Sequence, residues 1–319
     1  MCAIFGFLDY KGVVSNSVLK KLIKALSVCA EVRGTDATGI SYVKNSRMVT
    51  FKKAKPAHKI KLYFPTDTKC VIGHTRFTTQ GSEKYNYNNH PFESEKGFSL
   101  AHNGVLYNDK ELRQKYMLLN TKIETDSYVA VQLLEQFGGV DIESIKRMSE
   151  VVEGSFVFTI LRNDNTLFLV KGSNPLALYH FSKLGIYVYA STKSILDNAL
   201  KKADFSHKYT EIKVAEGEIL QLNPDGTAVK DTFEMDEKFE PLWNPYRFNS
   251  LDYYEWHNDF ENEEKEMLFE YCKIFGVSEE DVELLFDYGY DADTIEEMLM
   301  DSTMLDEALA EIKNAYCVE

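Results

Sequence analysis

The sequence predicts an α+β fold of antiparallel sheets covered by helices, followed by a small, acidic, all-helical C-terminal domain. Three observations carry this. Strand-like runs come first, helical periodicity follows, and a second strand series closes the first 231 residues. Turn signals separate that later series: Asn163-Asp164-Asn165, Gly172-Ser173-Asn174-Pro175 and Pro224-Asp225-Gly226. The charge then changes sign. Residues 232–319 hold 26 Asp/Glu against 5 Lys/Arg, whereas residues 1–231 hold 24 acidic and 31 basic residues. That shift sets a domain boundary near residue 232.

Ala3–Leu8 is an apolar run ending at Asp9-Tyr10-Lys11-Gly12, a strand and its turn. Asn16–Val32 places Val18, Leu22, Ile23, Leu26 and Ala30 on one helical face, with Ser15 or Asn16 as N-cap. Cys70–Thr75 and Phe98–His102 read as short strands. Asp126–Phe137 reads as a helix with Val129, Leu133 and Phe137 in register. Ser155–Leu161, Leu167–Lys171, Ile186–Ala190 and Glu218–Leu222 form the later strands. Residues 232–263 read as an aromatic-rich connector with two prolines, Pro241 and Pro245. From 264 to 319 the pattern is a bundle of three or four short helices. Ser278 is an N-cap ahead of first-turn acids there, and Gly289 breaks that helix.

Composition narrows the function. A chain of 319 residues can bury one large core or two smaller ones. No apolar run approaches the roughly 20 residues of a membrane span, and no charged-then-apolar leader opens the chain, so neither a membrane nor a secretory route is expected. Five cysteines without a Cys-x-x-Cys pair argue against a disulfide scaffold or a zinc site and for a reducing cytoplasm. The acidity of the tail argues against nucleic acid, whose phosphates would repel it.

Cys2 follows the initiator methionine. Methionine trimming would leave it at the chain terminus, with a thiol and a free α-amine on one residue. The amine has a reference pKa of about 7.7–8.0 and the thiol about 8.5, so the amine can serve as base for its own thiol. By itself a Met-Cys start is weak, and an inert first strand residue is the plain alternative. Four further segments give it weight: Arg33-Gly34-Thr35-Asp36-Ala37-Thr38-Gly39, His74-Thr75-Arg76-Phe77-Thr78-Thr79-Gln80-Gly81, His102-Asn103-Gly104 and Glu124-Thr125-Asp126-Ser127. Asn89-His90-Pro91 lies between the second and third.

In this order and spacing, residues 2–231 resemble the class II glutamine amidotransferase domain. That resemblance implies a four-layer αββα sandwich of the N-terminal-nucleophile hydrolase type, glutamine as substrate, and no metal or other cofactor. Glutamine is a zwitterion with a neutral side-chain amide. Its recognition calls for a cation at the α-carboxylate, an anion at the α-ammonium and a nucleophile at the amide carbon. Arg76 suits the first task through its planar fork. Asp126 suits the second, and Cys2 is the nucleophile. The Asn103 side-chain amide and the Gly104 N–H suit the oxyanion, where losing one donor typically costs about 2.7–4 kcal/mol. The resemblance adds Thr79 as a substrate contact, the Arg33–Gly39 segment as a support for Cys2, and residues 77–97 as a lid.

Plainer readings stand beside these. Arg76 could be a structural ion-pair residue, Asp126 a helix N-cap and Asn103-Gly104 a turn dipeptide. The same 77–97 stretch could be a surface excursion. His74, His90 and His102 read as hydrogen-bonded framework residues, because the α-amine already supplies a base. Gln80 is a departure: the sugar-phosphate synthases of the family carry histidine there, which speaks against that acceptor chemistry. No phosphate-binding Gly-rich loop and no room for a second large catalytic domain follow residue 231, so ammonia is expected to be released or passed to a separate acceptor protein.

Leu284–Tyr290 followed by Ile295–Leu299 resembles a ubiquitin-associated-type helical domain. The tail is thus expected either to bind a protein partner or to dock on its own basic domain. Two other functions remain open: an N-terminal-nucleophile hydrolase of a different amide, and a catalytically silent regulatory protein working through the tail.

Overall fold

The computed structural model describes residues 2–235, residues 277–287 and scattered positions from 295 to 312. The chain falls into two compact units, Met1–Pro241 and Leu242–Glu319.

In the first unit, two antiparallel sheets stack face to face. One has seven strands in the order β11-β9-β10-β1-β4-β2-β3, built from Thr210–Glu211, Ala177–Phe181, Ile186–Ala190, Ala3–Asp9, Cys70–Arg76, Ala37–Lys44 and Arg47–Lys53. The other has six in the order β13-β12-β8-β7-β6-β5, built from Ala228–Thr232, Glu218–Leu222, Leu167–Lys171, Gly154–Arg162, Phe98–Leu106 and Phe92–Ser94. Helices α1 (Asn16–Cys29) and α5 (Lys193–Lys202) cover the first sheet. Helices α2 (Asp109–Lys115), α3 (Tyr128–Gln136) and α4 (Ile142–Val151) belong to the second.

The period-2 alternation of a strand explains the layering. On β1, Ala3, Phe5 and Phe7 join the core beneath α1 and α5, while Ile4 and Leu8 face the core between the sheets. On β7, Phe156, Phe158 and Ile160 pack towards the α3–α4 side, while Val157 and Leu161 face inward. Both central strands are apolar on both faces because both faces are covered. Three stacked cores result, and the four-layer αββα expectation holds.

The structure refines several boundaries. The first helix ends at Cys29 and tightens into a 3-10 turn over Ala30–Arg33, with Ser15 accepting from Val18 N as its cap. The strand read as Phe98–His102 runs on to Leu106, so Asn103-Gly104 lies inside a strand and not in a turn. The β2–β3 hairpin was not read from the sequence. Its two-residue loop, Asn45-Ser46, has both φ values positive (49° and 56°), the twist that suits a tight hairpin. Its asparagine was the available signal.

In the second unit, α6 (Glu279–Asp287) starts where the sequence places it, with Asp281 N donating to Ser278 Oγ at 3.2 Å. Val282 and Leu285 share a small buried cluster with Ile295, Met298, Leu305, Ala308 and Ile312. Most of the connector, the helix proposed from 264, and Gly289 lie outside the described residues.

Candidate active site

Cys2 directly precedes β1, whose Ala3 pairs with Thr75 of β4, so the register sets Cys2 beside Arg76. The thiol donates to Phe77 O at 3.4 Å. Arg33 Nε donates to Cys2 O at 2.9 Å, and Ser191 brackets Ile4 through Ile4 N to Ser191 Oγ (2.9 Å) and Ser191 N to Ile4 O (3.0 Å). The start of the chain is therefore held from both sides. Burial pushes the Cys2 thiol up in pKa. The hydrogen bond with the Phe77 backbone and the charge of Arg76 act against that rise and Asp126 adds to it, so the thiol feels both proposed substrate-gripping charges.

Arg76 ends β4 and is 3% exposed. Its guanidinium donates to Asn89 Oδ1 (2.7 Å), Gln80 O (2.5 Å) and Gly81 O (2.8 Å). Those bonds leave up to two of its five N–H donors for a ligand. No carboxylate pairs with it at salt-bridge distance among the described residues, which disposes of the ion-pair reading. The 77–91 loop is tied down further. Asn88 Nδ2 donates to Glu124 Oε2 (2.7 Å), and Asn89 Nδ2 to Glu83 O (2.7 Å). The Arg33–Gly39 segment packs underneath. Asp36 accepts from Thr78 N at 2.7 Å, and a Cβ on Gly34 would sit 2.4 Å from the Arg76 carbonyl carbon. Thr79 is exposed on this loop.

The second sheet supplies the other half. Asn103 is 1% exposed, and its Nδ2 has no hydrogen-bond partner among the described residues. An orphaned buried donor costs about 1–3 kcal/mol, so it calls for an explanation. Gly104 follows with φ +144°, and a Cβ there would lie 1.9 Å from Ser155 O. Only glycine permits this approach of β6 to β7. Asp126 does not cap α3. Its Oδ2 instead reaches back to accept from Leu106 N at 2.7 Å, and its Oδ1 accepts from the Ser127 hydroxyl at 3.3 Å. The carboxylate thus stands at the end of β6, beyond Asn103 and Gly104.

The histidines link the halves. His74 Nε2 donates to His102 O at 3.0 Å, joining β4 to β6, and His102 Nδ1 lies 2.7 Å from Ser127 Oγ. Burial is the leading cause of lowered pKa in all three: His74 falls to about 3, His102 is lowered, and His90 falls well below the usual value. Burial favours the neutral form of each. His90 corrects the framework reading. Neither of its ring nitrogens has a hydrogen bond among the described residues; it is held by stacking on His74 (4.2 Å between centroids) and packing on Phe92 (4.3 Å).

Three residues have roles here that the sequence did not assign, although Asn89 and Asn174 lie in segments it singled out. Asn89 orients Arg76. Lys52 clamps the Asn89–Pro91 bend by donating to Asn89 O (2.6 Å) and Pro91 O (3.0 Å), and burial lowers its pKa to about 8. Asn174 touches the Asn103 carbonyl at 2.9 Å. Only long-range pairing reveals the last two, since a lysine on a hairpin and an asparagine in a turn are ordinary in sequence. Among the described residues, no group of three or more His, Cys, Asp or Glu is arranged to hold a metal ion, and no helix is long and apolar enough to cross a membrane.

Residues 74–198 match a family described as a glutamine amidotransferase domain. Glutamine–fructose-6-phosphate aminotransferase (isomerizing) from Bacillus spizizenii is 33% identical over 185 residues, covering 55% of this chain and 30% of the relative. The Staphylococcus aureus protein of the same name is 30% identical over 241 residues, covering 72% of this chain and 37% of the relative. The chain therefore spans about a third of the length of these curated relatives. Among solved structures, the glutamine phosphoribosylpyrophosphate amidotransferase from B. subtilis superposes with a TM-score of 0.57 at 21% identity, covering 74% of this chain and 50% of the other. That likeness extends to the fold alone. Taken with the stacked sheets and the motif order, these matches show that the chain carries a class II, N-terminal-nucleophile-type glutamine amidotransferase domain, homologous to those of enzymes.

Proposed function

We propose that this protein hydrolyses the side-chain amide of L-glutamine at Cys2, exposed as the N-terminal residue by removal of Met1. Arg76 grips the α-carboxylate, Asp126 the α-ammonium, and Thr79 adds a contact from the loop. The α-amine of Cys2 takes the thiol proton, directly or through water. The sulfur bonds to the amide carbon, and the negative charge moves to the amide oxygen, where Asn103 Nδ2 and the Gly104 N–H receive it. Collapse breaks the C–N bond, and the departing nitrogen takes a proton from the terminal ammonium to leave as ammonia. Water then adds to the γ-glutamyl thioester, the C–S bond breaks, and glutamate and the Cys2 thiol are restored.

The observation that supports this reading best is Asn103: a buried amide donor with no partner among the described residues, beside a glycine whose conformation excludes a side chain. An oxyanion is the ligand that such a pair of donors suits. Arg76, a buried cation with spare donors, fits a carboxylate. Ammonia passes to an acceptor on a separate protein. Residues 1–231 form the amidotransferase domain, 232–263 the connector, and 264–319 an acidic helical module that binds a protein or docks on its own basic domain. A cytoplasmic setting fits Cys2, Cys29 and Cys70, all free thiols.

Purified protein with its N-terminus verified by mass spectrometry is given L-glutamine, and glutamate and ammonia are followed. Wild type is expected to turn over, Cys2→Ala to be inactive, and Arg76→Ala to need far more glutamine. Turnover that survives Cys2→Ala, or wild type that releases neither product, overturns the reading.

A further inference from the structure

Asn103 pairs with Val157 of β7, and a side chain from elsewhere in the chain makes a further contact with its carbonyl. The carbonyl of Asn103 and the N–H of Gly104 belong to one planar peptide and point in opposite directions. Whatever holds the carbonyl therefore aims the N–H. The Asn103 carbonyl accepts from Asn174 Nδ2 at 2.9 Å, across 71 residues of sequence. A carbonyl can only accept, so the contacting Asn174 atom is the amide nitrogen and the assignment is not ambiguous.

Register agrees. Tyr107 N donates to Glu153 O, and in an antiparallel pair the donors alternate sides, so Val105 and Asn103 direct their N–H towards β7. Leu106 N points the other way, to Asp126 Oδ2. Gly104 shares that outward side. Asn174 is itself fixed. It precedes Pro175, which restricts its backbone, and its loop is stapled to β7 by Gly172 N donating to Phe156 O at 3.0 Å. Gly104 makes room: a Cβ there would lie 2.7 Å from Asn174 Nδ2. A hydrogen bond to the carbonyl also polarises its peptide and strengthens the N–H as a donor.

We propose that Asn174 is a positioning residue of the oxyanion site, holding the Asn103–Gly104 peptide so that the Gly104 N–H faces the tetrahedral intermediate. It touches no reacting atom. The inference rests on the glutamine-hydrolysis reading. Asn174→Asp keeps the size of the side chain and removes the donor; Asn174→Ala removes the contact. Both are expected to lower kcat for glutamine by about 10-fold or more with KM changed less than about 3-fold. The separating readout is inhibition. Glutamate γ-semialdehyde forms a tetrahedral adduct with the thiol and needs the oxyanion donors, whereas L-glutamate does not. The variants are expected to lose affinity for the aldehyde about as much as they lose kcat, while glutamate inhibition and Tm stay at wild-type values.

Wild-type turnover with variants unchanged in kcat and aldehyde affinity overturns the Asn174 role and leaves the hydrolase reading intact. Equal loss of aldehyde and glutamate affinity overturns it in favour of general support for the site. A wild type without turnover removes the hydrolase reading and this inference with it.

Discussion

The two sheets bring opposite kinds of preparation to one site. On the seven-stranded sheet the functional groups are already engaged. The Cys2 thiol donates to Phe77 O, and Arg76 spends three bonds on Gln80, Gly81 and Asn89. On the six-stranded sheet Asn103 Nδ2 has no partner among the described residues, while its strand is pinned by Asn174, Ser155 and Asp126. In the proposed mechanism the first half exchanges internal bonds for bonds to substrate. In that mechanism the second carries a desolvated donor that gains a partner when charge develops on the substrate oxygen, which is how differential stabilisation of a transition state arises. Binding should therefore reside mostly on the loop side and rate mostly on the β6 side.

The largest test of that division is the nucleophile. Cys2→Ala is expected to lower glutamate release by at least about 10³-fold, while isothermal titration still detects glutamine binding. Loss of binding together with turnover would break the separation. Asn103→Ala comes next: kcat should fall by about 10²–10³-fold with KM nearly constant in steady-state kinetics. Arg76→Ala should do the reverse, raising KM by about 10²-fold or more. It should also open the 77–91 loop to limited proteolysis, because the guanidinium holds that loop.

Acid sharpens the contrast differently, because the buried histidines join the two sheets. The folded pKa of His74, about 3, lies below its unfolded value of about 6.5, and those of His90 and His102 are shifted the same way. Between these values the unfolded chain binds more protons. Stability is therefore full above about pH 6.5 and is lost as pH falls towards 3. Chemical denaturation at stepped pH should show the decline, and replacing His90 with Phe should flatten part of it. The smallest effect is expected at Thr79. It is exposed, so Thr79→Ala should raise KM only a few-fold, about what one solvated hydrogen bond contributes.

Much of this was legible in sequence because the information is local. Apolar runs bounded by turn residues marked β1, β8, β10 and β12, and Ser15 marked the start of α1. The motif order marked Cys2, Arg76, Asn103, Gly104 and Asp126. What the sequence could not weigh was the partner of each group. Asp126 looks like an N-cap from its neighbours, yet its carboxylate goes to Leu106 N, 20 residues earlier. Asn103-Gly104 has the composition of a turn, yet strand pairing with Val157 and Phe156 absorbs it. His90 looks like a hydrogen-bonding residue, yet packing on His74 and Phe92 isolates it.

The chain by itself determined the alternation that gives β1 and β7 two apolar faces, and so a sandwich with helices outside both sheets. It also set the residue types on which the proposed recognition of a zwitterionic amide rests. Tertiary structure alone decided which donors are spent and which are spare. A hydrogen bond between Asn174 and Asn103, or between Lys52 and the Asn89–Pro91 bend, depends on two distant segments meeting within about 3 Å. Composition and spacing record the identity of a group, whereas its availability to a substrate is a property of everything folded against it.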